Sequence, residues 1–574
     1  MNIIKTLKKE IIAAIQKSFS LSPAQSASLE VTLNVDKDAT FGDMSCNAAM
    51  VLARALQQNP RQLAQRLQQE LQEVKQGLLA EYLESITIAG PGFLNFAFKQ
   101  KMWELVAAQL LAAPTEFFKL EGEPLKKYLI EYVSANPTGP PHLGTGRGGI
   151  IGDVLANALS FLGHTVHREY YINDAGNQIK LLGQTLQVRC KQQLGMPEDL
   201  PEGAYQGEYI NDIAQECLQE FGEDVVLKDD EFFEEYAKNH LLQIIKEDLL
   251  LYGIKFDEWF SEKKLHDNGS VDAALKKLKK AGLAYEQDGA LWFKSTEFGD
   301  EKDRVVKKST GEMTYIAGDV AYHQNKFERG YDHLINIFGQ DHHGYVMRLK
   351  ATMQALGYPA DKLDVILYQL VSIKKGEEAV KMSKRSGSFT TLRDVVDAVG
   401  TDVARFFYLN RKAEAHLELD LSIALKKSNE NPVFYIQYAY VRIMSVLEKA
   451  ALEPAFASFA QQLKNCSLGQ ESACKADALH HVFAHAGPAE NELLKKIVSL
   501  QDILKTIEQS YQTHLLAYYS WELANKFHNF YTNNRIIDTD NPEVTNMRLF
   551  LAVLVRNTLH TCLTLLGVSR PEKM

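Results

Sequence analysis

Residues 126–172 constrain the fold more than any other stretch. KKYLIEYVS (126–134) is a short apolar run with no helical period, and it reads as a buried strand. A turn rich in proline and glycine follows, ANPTGPPHLGTGRGG from residue 135. The chain then enters a helical pattern in which Ile150, Ile151, Val154, Leu155, Ala158, Leu159 and Leu162 share one face, and Gly163 marks the stop. HTVHREYYI (164–172) reads as a second strand. Strand, crossover helix, strand is the unit that builds a parallel sheet. Such sheets take their ligands at the carboxyl ends of the strands. The predicted fold class is α/β, with a parallel-sheet core.

On either side the pattern changes. Residues 1–120 combine helical patterns with SITIAGPGFLNFAF, an alternating run around a Pro-Gly turn, and are expected to form an N-terminal α+β domain. The core is expected over 121–430, with an acidic helical insertion at about 185–305 that includes DDEFFEEYAKNHLLQIIKEDLLLYG. YDHLINIFG (331–339) and KLDVILYQLVSI (362–373) restore the strand pattern, and 431–574 reads as an all-α helical bundle. A length of 574 residues suits three to four domains. No run of about 18 apolar residues occurs, so no membrane span is expected. The amphipathic start, MNIIKTLKKEIIAAIQKSF, lacks the apolar core of a signal peptide. The six cysteines contain no C-x-x-C pair, which predicts no zinc or other metal site and a reducing cytoplasmic setting. A net charge of −10 argues against a generally basic nucleic-acid coat but leaves room for a local basic groove.

Two loops carry candidate chemistry. In the turn, Pro140 and Pro141 stiffen the approach. Gly144 and Gly146 lack a Cβ, so a ribose has room against the backbone, and His142 can donate to a phosphate oxygen at a helix N-terminus. No G-x-x-x-x-G-K-[ST] is present, so this is not a P-loop. An ordinary Gly/Pro turn with a satisfied histidine explains the same residues equally well. The second loop, KMSKRSGS (381–388), sets Lys381 and Lys384 around Ser383, with Gly376 and Gly387 flanking. Two lysines on a mobile loop suit charge developing on a transferring phosphate, although a lone lysine-rich loop usually marks a solvated surface.

Taken together, the two loops lie about 240 residues apart and each follows a strand. They resemble the paired signatures of class I aminoacyl-tRNA synthetases. The ordered series EYVSANPTGPPHLGTGRGG, REYYINDAGNQI, YQGEYI, TYIAGDVAYH, GQDHHGY, KMSKRSGS and GVSRPEKM narrows the resemblance to the arginyl-tRNA synthetases. It implies a Rossmann-like catalytic core, an N-terminal domain that touches the tRNA elbow and a bundle that binds the anticodon. The implied partners are L-arginine, ATP as substrate with Mg²⁺ on its phosphates, and the tRNA for arginine, with the enzyme a monomer that has no membrane attachment. The resemblance also carries the family's usual need for tRNA during activation.

The resemblance assigns residues as well. His142, Thr145, Lys381 and Lys384 fall at catalytic places, and Gly144, Gly146, Gly339, Asp341, His342, Met382 and Ser383 at ATP-binding ones. Asp319 and Tyr315 fall at the guanidinium end of the arginine site, with Glu131, Asn136 and Gln340 around its remaining polar groups. A guanidinium has five donors in a planar fork, and carboxylates placed to accept them would leave a lysine under-satisfying the pocket. Phe93 and Asn95, at the tip of GPGFLNF, and Arg442 in the bundle are implied tRNA contacts. Tyr435, Tyr438, Tyr440, Phe530 and Tyr531 read either as base-stacking aromatics or as core. GQDHHGY also permits a metal or phosphoesterase reading, but the acidic clusters those need are not visible, and H-T-V-H at 164–167 shows no metal-ligand company. One departure stands out. Thr145 occupies the place of the family's second histidine, and losing a transition-state donor there is worth on the order of 3 kcal/mol. Two rival functions remain: a weakly catalytic regulatory protein of the same fold, and an adenylate-forming nucleotidyltransferase that uses no tRNA.

Overall fold

The structure is a computed structural model that describes residues 2–22, 25–26, 28–375, 378–379, 391–465 and 480–574. Its centre is a five-stranded parallel sheet formed by β5 (Lys127–Glu131), β6 (Thr165–Ile172), β7 (Glu258–Ser261), β11 (His333–Gly339) and β12 (Leu363–Tyr368). The strand order is β12-β11-β5-β6-β7. The chain leaves β5 toward β6 on one side and later returns to β11 on the other. The carboxyl ends of β5 and β11 therefore flank the switch point where a doubly wound sheet binds ligand.

The expected crossover helix is α6 (Leu143–Phe161). Its run of glycines is unusual, because each one weakens a helix interior by about 1 kcal/mol relative to alanine. Packing explains them. A Cβ on Gly148 would lie 2.5 Å from the Tyr368 ring, and one on Gly152 would lie 2.3 Å from the Tyr132 ring. The signature helix trades propensity for close contact with the sheet.

The N-terminal unit is a four-stranded antiparallel sheet of β1 (Val31–Leu33), β2 (Met44–Cys46), β3 (Leu83–Ala89) and β4 (Phe93–Phe98), in the order β1-β2-β4-β3, packed with helices including α1 (Ile3–Phe19). The C-terminal unit is helical, and α22 (Pro542–Leu566) runs through its middle. By length and composition α22 passes for a membrane span, yet 89% of its most apolar window is buried inside the protein.

Two sequence expectations need correction. The helical insertion is α7 (Asn177–Gln193), α8 (Tyr209–Phe221) and α9 (Asp230–Leu251), and it does not continue to 305. The chain then supplies core strand β7 and a small antiparallel sheet of β8 (Ala284–Gln287), β9 (Ala290–Phe293) and β10 (Arg304–Lys307). Each of these strands is four residues long, too short for alternation to register. KLDVILYQLVSI is likewise two strands. It breaks after Tyr368, and β13 (Val371–Lys375) joins a different sheet.

The units meet at Arg405, which is buried beside α6. Its guanidinium donates to Asp153 Oδ2 at 2.5 Å, to the Leu566 carbonyl at 2.7 Å and to the Tyr252 carbonyl at 2.5 Å. It therefore ties the signature helix to the insertion and to the end of α22. Gly567, at φ +66°, leaves no room for a side chain, since a Cβ there would sit 2.3 Å from the guanidinium. Arg405→Met strands a buried carboxylate and two carbonyls. It is expected to lower stability by about 3–5 kcal/mol, read as a lower urea midpoint.

Candidate active site

The signature turn begins under strain. Val133 and Ser134 leave β5 with φ of +70° and +40°. A left-handed conformation is a genuine outlier for a β-branched residue and is held only where the surroundings over-determine it. Eight residues after Ser134, His142 is the N-cap of α6, and its Nδ1 accepts from the Gly144 and Thr145 amides at 3.1 and 3.4 Å. An Nδ1 that accepts leaves the ring proton of the neutral imidazole on Nε2. The exposed His142 also bridges Thr391, and the Leu392 amide donates to the Pro141 carbonyl at 2.8 Å. Thr391 lies three residues after the second signature in sequence. Lys381, Met382, Ser383 and Lys384, with Gly387 and Gly376, lie outside the described residues, but the segment that follows them is paired to the first signature.

Next to the turn is a cluster of acids. Helix α12 (Tyr315–Glu328) lies against the sheet and aligns Asp319, His323 and Lys326 on one face. Lys326 is fully buried and donates to Glu131 Oε2 at 2.5 Å and to Asn336 Oδ1 at 2.9 Å. The Asn336 amide meets His323 Nε2 at 2.7 Å, and His323 Nδ1 donates to the Asp319 carbonyl at 3.0 Å. Burial, with Lys326 adding to it, pushes the His323 pKa well below the ordinary imidazole value, so the ring is neutral. The Ser134 hydroxyl donates to Glu131 Oε1 at 3.0 Å. Glu131 is thus aimed and neutralised from below.

Asp319 has no such partner. Protein surrounds it densely while part of its surface stays exposed, and among the described residues no hydrogen bond reaches its carboxylate. Burial pushes its carboxyl well above the usual carboxylate range, Glu262 and Glu131 push the same way, and only Lys326 opposes them. Glu262 is buried opposite, beneath Gly318, where a Cβ would lie 2.8 Å from Glu262 Oε1. Burial raises the Glu262 pKa too, against His266 and a hydrogen bond from Tyr171. Three carboxylates share one built-in ammonium, with His266 3.7 Å from Glu262. The cluster carries an excess of negative charge that a cationic ligand would reduce. Tyr315 stands 61% exposed at the rim.

The remaining sequence assignments fare unevenly. Gly339 ends β11, and Gln340 follows it half-buried. A Cβ on Gly339 would lie 2.4 Å from Asp341 Oδ1, so the exposed Asp341 folds back over the glycine. The exposed His342 ring lies 5.3 Å from that of Phe338. Asn136 is exposed, and its amide donates to Gln178 at 2.8 Å. The space beside Gly146 is not open to a ribose, because Leu392 and the Tyr408 ring fill it at 2.4 and 2.9 Å from a Cβ position. The space beside Gly144 holds the His142 ring. Both glycines serve packing and capping. Thr145 is only 4% exposed.

Phe93 is exposed as expected, but Asn95 is not at a tip. It is 2% exposed in the middle of β4, where it accepts from the Ser45 hydroxyl at 2.8 Å. Alternation sends Asn95 to the same face as Phe93, and that face turns inward beyond the hairpin. Arg442 is engaged inside the bundle, 4.5 and 4.7 Å from the Tyr438 and Tyr531 rings, and it hydrogen-bonds the Tyr438 hydroxyl and His528. His167 does have metal-ligand company, namely Glu169 and Glu258. Arg329 already occupies those carboxylates at 2.6 and 2.9 Å.

Sequence reasoning missed Glu262, Lys326 and Asn336. Glu262 follows a four-residue strand and carries no pattern. Lys326 had a signal, since Asp319, His323 and Lys326 fall at i, i+4 and i+7, which is a polar stripe on one helix face.

The chain matches three family models: arginyl tRNA synthetase N terminal domain over residues 5–98, tRNA synthetases class I (R), catalytic domain, over 108–414, and DALR anticodon binding domain over 436–574. It is similar to the arginine–tRNA ligase of Citrifermentans bemidjiense, 42% identical over 551 residues that cover 94% of this chain and 95% of that protein. The arginine–tRNA ligase 1 of Halalkalibacterium halodurans is 41% identical over 572 residues, 99% of this chain and 98% of that protein. The structure of Thermus thermophilus arginyl-tRNA synthetase matches with a TM-score of 0.73 over 98% of this chain and 99% of that one, at 21% identity, a likeness of fold.

Proposed function

The chain belongs to the class I arginyl-tRNA synthetase family, and on that premise we propose how its residues divide the work of charging tRNA with arginine. The reaction has two steps. The arginine carboxylate attacks the α-phosphate of ATP, and pyrophosphate leaves. A terminal ribose hydroxyl of tRNA then attacks the carbonyl of the adenylate, and AMP leaves. Neither step needs a protein nucleophile, so the protein positions groups and stabilises charge.

The observation that carries the assignment is the unpartnered Asp319 carboxylate beside Glu262 and Glu131. These carboxylates receive the guanidinium, with Tyr315 at the rim. Glu131, held by Lys326, and Asn136 and Gln340 take the α-amino and carboxylate end. ATP lies across the switch point, with Asp341 and His342 toward ribose and adenine and Gly339 beneath. His142 serves the phosphates, Lys381, Met382, Ser383 and Lys384 of the second signature stabilise charge on them, and Thr145 contributes through the capped turn.

ATP enters as its Mg²⁺ complex, with the metal on the phosphates and no zinc in the protein. The units 1–120, 121–430 and 431–574 serve the tRNA elbow, catalysis and the anticodon. Phe93 and Arg442 are the proposed tRNA contacts, and Asn95 supports the hairpin from within. The protein acts as a monomer, since one chain supplies both flanks of the site, and it works in the cytoplasm. The four described cysteines are buried free thiols, as a reducing compartment allows.

Charging of total tRNA with each labelled amino acid in turn tests the reading. Arginine alone is expected to be incorporated. Adenylate formation without charging, or turnover with another amino acid, defeats it.

A further inference from the structure

The motif YQGEYI (205–210) has no part in the chemistry above, yet both of its tyrosines reach the signature turn. Tyr209 opens helix α8, and its hydroxyl donates to the Thr138 carbonyl at 2.6 Å. A Cβ on Gly139 would lie 3.2 Å from that hydroxyl oxygen, so the glycine lets the ring close on the turn. Tyr205 approaches the Thr138 side chain. Gln178 of α7 accepts from Asn136 at 2.8 Å. Two side chains of the helical insertion thus bond to residues 136–138 from one side, with Tyr205 beside them.

Tyr209 is itself anchored. Its ring lies against Gly207, where a Cβ would come within 2.2 Å, and it packs on the insertion's own apolar core. The held strip lies between two demanding segments. Upstream are the left-handed Val133 and Ser134, and downstream are the two prolines that carry His142 into its cap. A strained backbone keeps its conformation only when the surroundings over-determine it. The insertion provides that surrounding on the side the sheet does not reach.

We propose that Tyr209, supported by Tyr205, is a positioning residue for adenylate formation: it clamps the Thr138 carbonyl so that the turn presents His142 to the phosphates in one geometry. Tyr209 touches no reacting atom. Its effect falls on the rate, because a small misplacement of a positioned group slows the step far more than it weakens binding. The proposal rests on the placement of residues 135–142 in the reacting site. Arginine-dependent ATP–pyrophosphate exchange by the unaltered protein tests that placement, and the ratio of variant to parent tests the clamp.

The experiment uses the full chain with tRNA present and compares Tyr209→Phe, Gly139→Ala and the double variant. Y209F removes one hydroxyl. It is expected to lower kcat about tenfold, with the KM for arginine within about twofold and little change in Tm. G139A pushes a methyl against the same hydroxyl and is expected to lower kcat without touching the insertion's core. In the double variant the clash partner is gone, so the combined loss is expected to be no larger than the larger single loss. The proposal is overturned if the kcat of Y209F stays within about twofold of the parent, if kcat and both KM values shift together with a falling Tm, or if the single losses multiply. Should Y209F prove unstable, G139A alone decides, by lowering kcat at constant KM for arginine or failing to.

Discussion

Asp319→Asn is expected to lower kcat/KM for arginine by about 10²–10⁴, with little change in the KM for ATP. The estimate follows from the pocket's charges. A guanidinium entering beside Asp319 and Glu262 leaves water for a site that is buried on the protein side. Removing one partner of such a pair is worth on the order of 3–5 kcal/mol, much of it the penalty of leaving the other charge unmatched. Asparagine is isosteric, so shape is kept and only the charge goes. Stability separates this outcome from general damage. Asp319 is a carboxyl pushed well above its ordinary range, chiefly by burial. A group with a raised folded-state pKa adds stability below its unfolded pKa, and that contribution is lost as pH rises through the folded value. At neutral pH the ligand-free protein therefore bears a cost at this position. D319N is expected to be at least as heat-stable as the parent while losing arginine, and to lose the rise in Tm that arginine gives the parent. A variant that is inactive because it unfolds early would contradict this.

The same group predicts the pH dependence. Arginine pairs with the ionised carboxylate, so binding releases a proton wherever free Asp319 still holds one. The KM for arginine is expected to fall as pH rises across the elevated range of Asp319. In D319N that dependence is expected to flatten, while any pH dependence of the KM for ATP stays as in the parent. An unchanged arginine profile in D319N would move the charge-bearing role to Glu262.

The fold was legible where elements were long and their period clear. The β5–α6–β6 unit follows from apolar runs of the right length and a turn that only proline and glycine could build. The helical crossover between them then makes the strand pair parallel. Legibility failed for β7 to β10, since four residues cannot show a period, and at Gln369, where one apolar run serves two sheets. The site divides in the same way. Glu131 and Asp319 stand in motifs, but what each one does depends on contacts that cross the chain. Lys326 is 195 positions from the Glu131 it neutralises, and no local pattern predicts that distance. Gly146 shows the opposite error. Its missing side chain was read as room for a ligand, and the room belongs to Leu392 and Tyr408, residues whose nearness only the folded chain reveals.

His142→Asn is expected to lower the kcat of arginine-dependent ATP–pyrophosphate exchange by about 10²–10³, with arginine affinity and Tm nearly unchanged. We propose two roles for His142, one on each ring nitrogen. Nδ1 accepts from the Gly144 and Thr145 amides and caps helix α6. That places the ring proton on Nε2, which on the proposed reading donates to an α-phosphate whose charge grows in the transition state. Asparagine is among the best N-cap residues, so its side-chain oxygen keeps the first role. It is too short to replace the second. Removing one preorganised donor from a developing charge is worth on the order of 2.7–4 kcal/mol, which sets the range given. His142→Ala removes both roles, and its rate loss should come with a drop in stability of about 1 kcal/mol from the lost cap. The contrast between the two variants locates the chemistry. Equal rate losses with a stability difference place the catalytic contribution on Nε2. If H142N keeps the parent rate, the cap alone is what the turn needs from this residue, and charge stabilisation must come from the lysines of the second signature. Thr145 bears on the same question, because a buried hydroxyl in the place of a second histidine leaves His142 as the one imidazole of the first signature. With no second ring to share the load, the loss in H142N should fall toward the upper end of the range.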